Sequence, residues 1–362
     1  MKLRALAIVA SAFLASSVLS GCTESAVTAT PTPVDFKACL VSSPAGFNDG
    51  ALNQDAYYGL LQAEAQYGVS TSEIELAPGA SSYQTFRAAR KLVARDCNIV
   101  FTIGGFRHQL ATLANGNPKV QFVELEAAAL GTSAQPIQNH NLTDVNYDTR
   151  VAFLEAGYLA ASKSTTGKVA VLGLAGDSLG QSEIWYFRQG VYQFAERSGH
   201  LIQILGAQQA EPSTWKLFAS EPNLEALKTR TRQLIGNGAD VLLPIGVNGL
   251  VVAQVAQTSG KLVIGSGSDW AKSARYASVK SSILASVAKP YAQLVVDQIA
   301  QAVGAVSPAP QQTSGSQLEL SLLASLTPEG AVTYGGISET LAQLGSDYLA
   351  GKTSVVEPTS VK

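Results

Sequence analysis

Asn48, Asp49, Asn53 and Gln54 crowd four amide or carboxylate side chains into seven residues, inside the run Gly46-Phe47-Asn48-Asp49-Gly50-Ala51-Leu52-Asn53-Gln54. One of them suffices to cap the helix that follows and accept its unpaired N–H groups. The rest are available to hold a ligand through hydrogen bonds. Groups for covalent or metal chemistry are sparse by comparison. His108, His140 and His200 lack metal-ligand spacing. The run Gly265-Ser266-Gly267-Ser268 has the wrong register for a nucleophile elbow. Gly173-Leu174-Ala175-Gly176-Asp177 lacks the spacing of a dinucleotide-binding loop and reads as a turn. The expectation is a chain without catalytic residues, metal or cofactor.

The three cysteines divide by position. Lys2 and Arg4, the mostly apolar run 5–18 and then Leu19-Ser20-Gly21-Cys22 describe a secretory signal peptide rather than a transmembrane helix, because the apolar run is too short to span a bilayer. A cysteine directly after Leu-Ser-Gly resembles the bacterial lipobox, which implies cleavage after residue 21 and a diacylglyceryl group on Cys22. Each buried methylene adds about 0.8 kcal/mol to membrane affinity, so two or more acyl chains hold a folded domain at a membrane without a spanning helix. Cys39 and Cys97 then remain as a pair in an oxidising compartment. Cys39 opens one apolar strand and Cys97 precedes another, so a disulfide is expected if those strands are neighbours in a parallel sheet; the alternative is two free buried thiols.

The elements that must position these residues follow from pattern. The sequence of 362 residues is 46% hydrophobic and 14% charged, with net charge −2. The Lys and Arg residues do not cluster into a basic stripe for neutralising phosphates, so no nucleic-acid partner is expected. Without residues 1–21, roughly 340 residues remain, more than one core usually holds, and two domains are expected. Residues 22–35, with Pro31 and Pro33, read as a tether. Strands are expected at 38–42, 73–76, 98–103, 120–125, 168–172, 201–205, 240–244, 261–264 and 279–284. Helices are expected at 53–67, 83–95, 151–162, 184–198, 221–235, 250–258 and 286–303. Such alternation predicts an α/β fold of doubly wound parallel sheets. Continuous apolar strands such as Ile99-Val100-Phe101 and Val241-Leu242-Leu243 fit sheets covered on both faces. Residues 304–317, rich in Ser, Pro and Gln, read as a surface loop. Ligands bind beyond the carboxyl ends of such strands, which directs attention to the loops holding Asn48, Phe106, Glu126 and Asp269 and to the entry of the helix containing Phe187.

At this point a resemblance becomes specific. Asp49, Asn53 and Gln54 match at the spacing of the Asp-Asp-Lys-Ser-Phe-Asn-Gln stretch of the basic membrane protein family of substrate-binding lipoproteins. Ile103-Gly104-Gly105-Phe106 resembles that family's Val-Gly-Phe turn, and the strand ending at Glu126 resembles its Phe-Ala-Ile-Ile-Asp. Phe153-Leu154-Glu155-Ala156-Gly157-Tyr158 is similar to its Phe-Leu-Ala-Gly-Tyr with one residue inserted. Thr166-Gly167-Lys168-Val169, Phe187-Arg188-Gln189-Gly190, Gly238-Ala239-Asp240-Val241 and Ile264–Asp269 follow in order, and the stretch ending in Lys289 resembles the one that ends in the family's binding lysine.

The resemblance implies a type I periplasmic-binding-protein fold: two α/β lobes joined by hinge strands, comprising residues 36–145 plus 276–306 and residues 146–275 plus 307–362. It implies a monomer that binds a small molecule, often a purine nucleoside, and hands it to an ABC permease at the outer face of the cell membrane. It also implies ligand contacts from Asn48, Asp49, Asn53, Gln54, Phe106, Glu126, Phe187, Asp269 and Lys289. A nucleoside needs aromatic faces for its base and carboxylates or amides for its ribose hydroxyls. Phe187 matches a stacking Phe, or is a core residue of an amphipathic helix. Departures fall in the pocket: Leu52 stands for a stacking Phe, Glu126 for an Asp, and Gly267 for the first Asp of its turn. Phe47, Phe106 and Trp185 are the rings that could replace the one lost at Leu52. Another sugar-like or nucleobase ligand is therefore the next reading, and a tethered sensor or adhesin without a permease the one after.

Overall fold

The computed structural model describes residues 31–49, 52–104, 107–126, 141–207, 212–220, 222–305 and 337–352, and the backbone of 312–314, 317–323 and 325–328. The lipobox, with Cys22, and Phe106 lie outside the described residues. Two sheets organise the chain. The first contains β1 (Lys37–Val41), β2 (Ser70–Ile74), β3 (Ile99–Ile103), β4 (Gln121–Leu125) and β5 (Leu142–Asp148), joined by β11 (Gln312–Ser314) and β12 (Gln317–Leu323), in the order β11-β12-β5-β4-β3-β1-β2. The second contains β6 (Lys168–Leu172), β7 (Gln203–Leu205), β8 (Val241–Pro244), β9 (Leu262–Gly267), β10 (Ile283–Ala288) and β13 (Ser325–Pro328), in the order β13-β10-β9-β8-β6-β7. Pairing is parallel except for β11 with β12 and β10 with β13. The expected pair of doubly wound parallel sheets is present.

Both sheets bury both faces, which is why their strands lack the alternation of a half-solvated sheet. In the first, Leu40, Phe101, Val123 and Leu125 meet α1 (Leu52–Tyr67) and α8 (Tyr291–Ala302), while Val41, Val100 and Phe122 meet α2 (Ser82–Val93) and α3 (Arg107–Gly116). In the second, Val169, Val171 and Leu243 meet α4 (Arg150–Lys163), α5 (Ser178–Ser198) and α9 (Ile337–Leu349), while Ala170, Leu242 and Val263 meet α6 (Leu224–Gly236) and α7 (Gly249–Thr258). The helices start where side chains replace the missing turn: Asp177 accepts the Gly180 N–H and Asn223 the Ala226 N–H. Cys39 and Cys97 form the expected disulfide across adjacent parallel strands, with Cα atoms 6.0 Å apart and Ala38 in register with Ile99.

The chain crosses between sheets after β5, after β10 and between β12 and β13. The expected lobe boundaries differ from this membership at two places: β10, within 276–306, belongs to the second sheet, and β12, within 307–362, to the first. The physical reason lies near Pro290. Residues 274–282 form a 3₁₀ segment instead of opening a strand, and β10 continues through Ser286-Val287-Ala288, where a helix was expected. Parallel pairing with β9 overrides the weak strand propensity of Ala and Ser. Pro290, which disfavours a helical residue before it, then stands as the N-cap of α8. Residues 312–314, expected in a surface loop, form β11.

Candidate functional site

The loop after β1 is built by its own polar side chains. The Ser43 N–H donates to Asn53 Oδ1 at 2.6 Å, and Asn53 Nδ2 donates to Ser43 Oγ at 2.9 Å and Asp49 Oδ2 at 2.7 Å. Asp49 accepts the N–H groups of Asn53 and Gln54, both at 3.1 Å. Asp49 and Asn53 thus fix the start of α1, and the carboxylate there gains from the positive end of the helix. Gln54 Nε2 donates to the Tyr58 hydroxyl at 3.1 Å. Phe47 stacks on Tyr57 with centroids 4.9 Å apart, and its N–H donates to Glu75 Oε1. Leu52 packs against the first-sheet core. The Asn48 carbonyl accepts from Arg275 Nη1 at 2.8 Å, a bond from the first lobe to the second.

A second group lies where the chain returns from β10 to α8. Lys289 follows β10, is 7% exposed, and sends its ammonium to Glu126 Oε1 at 2.8 Å and Glu183 Oε1 at 3.1 Å. The Tyr291 hydroxyl donates to the same Glu126 oxygen at 2.6 Å, and its ring meets Tyr147 edge-on at 4.8 Å. Glu126 extends past β4 with φ of 54°, a left-handed conformation that a non-glycine residue adopts at a cost. That turn aims its carboxylate at the junction. Glu183 comes from α5, so this cluster joins the first sheet, the second sheet and the connection between them.

Burial favours the neutral carboxyl, but the Lys289 charge and hydrogen bonds from Lys289 and Tyr291 outweigh it, holding Glu126 below its usual range. Glu183 goes the other way: burial pushes it up, Lys289 opposes, and the negative charges of Glu126 and Asp177 add to the rise. Burial works against the Lys289 ammonium, yet its two carboxylates hold its titration above the ordinary lysine value. Burial and the Glu126 charge likewise raise Tyr291. Asp55 in α1 accepts the Ala292 N–H at 3.1 Å, supplying to α8 the cap that Pro290 lacks.

The remaining expected site residues divide. Asp269, in the loop after β9, pairs with Lys272 at 2.8 Å. Beside it Trp270 stacks on Tyr276, with centroids 4.2 Å apart, and the Asp49 charge acts on the Tyr276 hydroxyl. Phe187 is fully buried in the second-lobe core, with its backbone against Gly157 of α4, which is the position the core alternative describes. Trp185 is partly buried, 5.4 Å from the Arg188 guanidinium. The structure thus brings Asn48, Asp49 and Asn53 together in the loop after β1, with Arg275 on the Asn48 carbonyl, and Glu126 together with Lys289 and Glu183, while the Gln54 side chain bonds Tyr58 and Asp269 pairs with Lys272. Sequence reasoning missed Glu183, Tyr291 and Arg275. A lone Glu or Arg has no local signature, and Tyr291 carried one only through its place beside Lys289-Pro290.

The model of a family described as ABC transporter substrate-binding protein, PnrA-like, matches residues 36–304. A curated relative, the ABC transporter nucleoside-binding protein BmpA of Lactococcus lactis subsp. cremoris, is 30% identical over 183 residues. That match covers 48% of each chain, so this chain spans about half the length of the curated relative it matches. Among solved structures, an ABC transporter solute-binding protein from Aeropyrum pernix K1 superposes with a TM-score of 0.65 at 13% identity, covering 90% of this chain and 94% of that one. One from Conexibacter woesei gives 0.63 at 18% identity, covering 88% and 98%.

Proposed function

The chain belongs to the PnrA-like family of ABC transporter substrate-binding proteins, and from that premise we propose that it captures a purine nucleoside between its two lobes and passes it to an ABC permease. Proteins of this family bind solutes outside the cytoplasm and are not enzymes. In this reading the chain is a monomer tethered to the outer face of the cell membrane by lipid on Cys22. No described helix is long and apolar enough to cross a membrane.

The observation that carries the proposal is the pair of polar clusters on facing lobe edges: Asp49 and Asn53 at the start of α1, and Glu126 with Lys289 at the lobe junction. Hydroxyl groups of a ribose donate to carboxylates and accept from an ammonium, and both are present. The nucleoside named for the Lactococcus relative supports the choice of ligand. In mechanism, ligand held by the first lobe draws in the second, and the closed form is what the permease reads. A second reading, a sugar-like or nucleobase ligand, draws on two particulars: Leu52 stands where the resembling family has a ring, and Phe187 lies in the core.

The test is thermal unfolding of the full chain with inosine, guanosine, adenosine, pyrimidine nucleosides, free bases, pentoses and hexoses. A ligand at 100 times its dissociation constant stabilises by about 2.7 kcal/mol. Stabilisation by purine nucleosides alone supports the proposal. Stabilisation by a pentose or hexose, with none by nucleosides, moves the ligand to the second reading.

A further inference from the structure

Glu183 is 6% exposed and belongs to α5 of the second lobe, whereas Glu126 belongs to the first. Between them stands one ammonium, that of Lys289, on the connection that joins the lobes. Taking charges out of water is costly, and a buried ion is tolerated only while its partners stay in place. Lys289 has two such partners, and they sit on bodies that must move relative to each other when a cleft opens. The resemblance singles out Glu126 and Lys289 but not Glu183.

We propose that Glu183 is a positioning residue of the ligand site: from the second lobe it holds the Lys289 ammonium against Glu126 of the first, so that the position of the ammonium, and with it lobe closure, depends on this carboxylate. The inference rests on the reading of the inter-lobe edge as the ligand site. The groups facing Glu183 are Lys289 from the connection, Glu126 from the end of β4, Tyr291 from the start of α8 and Asp177 from its own helix. α4 meets α5 further along, Gly157 against Phe187 and Leu154 against Gly190. Burial and two neighbouring negative charges make Glu183 the first carboxylate of the cluster to take a proton as pH falls, and a neutral Glu183 loses its hold on Lys289. The clasp is therefore tight at high pH and slack at low pH.

The experiment reads lobe separation without ligand. Spin labels are placed at Lys91→Cys on α2 and Arg232→Cys on α6 of the full chain carrying Cys22→Ser, and the distance is followed from pH 8 to pH 5. For the parent chain we expect the distance to lengthen or broaden as pH falls. Glu183→Gln should already show the low-pH distribution at pH 8 and stay constant. An unchanged distance in the parent across the whole range overturns the inference, even if Glu183→Gln fails to fold. So does a Glu183→Gln chain that follows the parent at every pH. Inosine titrated into both chains gives the second arm, with at least a tenfold loss of affinity expected in Glu183→Gln at pH 8. If the parent does not bind inosine, the nucleoside reading falls and the label distances alone decide the role of Glu183.

Discussion

Glu155 and Glu126 are both half-buried acids, and of the two, among the described residues, only Glu126 is paired with a cation. Glu155 lies on α4 against Gly345 of α9, and burial alone pushes its carboxyl from 4.5 up to about 7. Because the folded state holds the proton more tightly than the unfolded chain, the contribution is fully present below pH 4.5 and is lost as pH rises through about 7. Glu155→Gln should therefore be more stable than the parent at pH 8, by on the order of 1–2 kcal/mol after discounting for solvent reach, and equal to it near pH 4.5. Urea unfolding at intervals from pH 4.5 to pH 8 checks this; a variant with the same pH slope as the parent would refute it. Lys289→Met poses the opposite case, leaving Glu126 and Glu183 facing each other without their ammonium. We expect about 3–5 kcal/mol of destabilisation at pH 8, read from the same urea series, and a smaller loss as pH falls, because burial and the Glu126 charge favour the protonated form of Glu183. At this scale the sequence exposes polar residues that cluster in the chain, such as Asp49, Asn53 and Gln54. It hides those that meet only in space: Glu183 is 106 residues from Lys289, and alone on a helix it reads as a solvated face.

Among the elements, α4 and α5 pack most closely. A Cβ built on Gly157 would fall within the radius of the Phe187 carbonyl oxygen, and one on Gly190 within that of the Leu154 carbonyl oxygen. Backbone blocks both, so relief requires separating the helices. Gly190→Ala should cost about 3 kcal/mol or more, at the upper end of overpacking losses, and the urea midpoint should fall without a change in slope. A midpoint equal to that of the parent would mean the helices slide apart freely. The Cys39–Cys97 bond closes a separation of 58 residues. Loop-closure entropy gives it about 4 kcal/mol at most, so Cys39→Ser with Cys97→Ser should show a loss of that order in the same assay. Legibility among elements followed burial. Strands made of contiguous apolar residues, β3 and β8 among them, were readable, as were helices with clean amphipathic runs. β5 was not: Leu142-Thr143-Asp144-Val145-Asn146 carries polar residues of poor strand propensity, and pairing with β4 and β12 imposes the strand. β10 was misplaced for the corresponding reason.

Among the described residues the chain forms two sheets and passes between them three times, and that topology was legible only in class. Alternating strands and helices imply doubly wound sheets, but sheet membership of β10 and β12 depends on long-range pairing, which no local pattern carries. The two lobes already touch: Arg275 on the second reaches the Asn48 carbonyl on the first at 2.8 Å, one turn of chain from the Asp49 and Asn53 side chains. A bond between lobes exists only while they are closed, so it favours the closed form and leaves the open form untouched. Removing it should lower the closed-to-open ratio by the worth of one partly exposed charge-assisted hydrogen bond, about 1 kcal/mol, or roughly fivefold. Ligand enters and leaves through the open form, so Arg275→Ala should raise both the association and the dissociation rate of inosine, each by up to about fivefold. Rapid-mixing fluorescence, with Trp270 stacked on Tyr276 near that contact as the reporter, separates the two rates. A slower association with unchanged dissociation would place Arg275 in the capture step, and equal rates for both chains would show that closure does not depend on this bond.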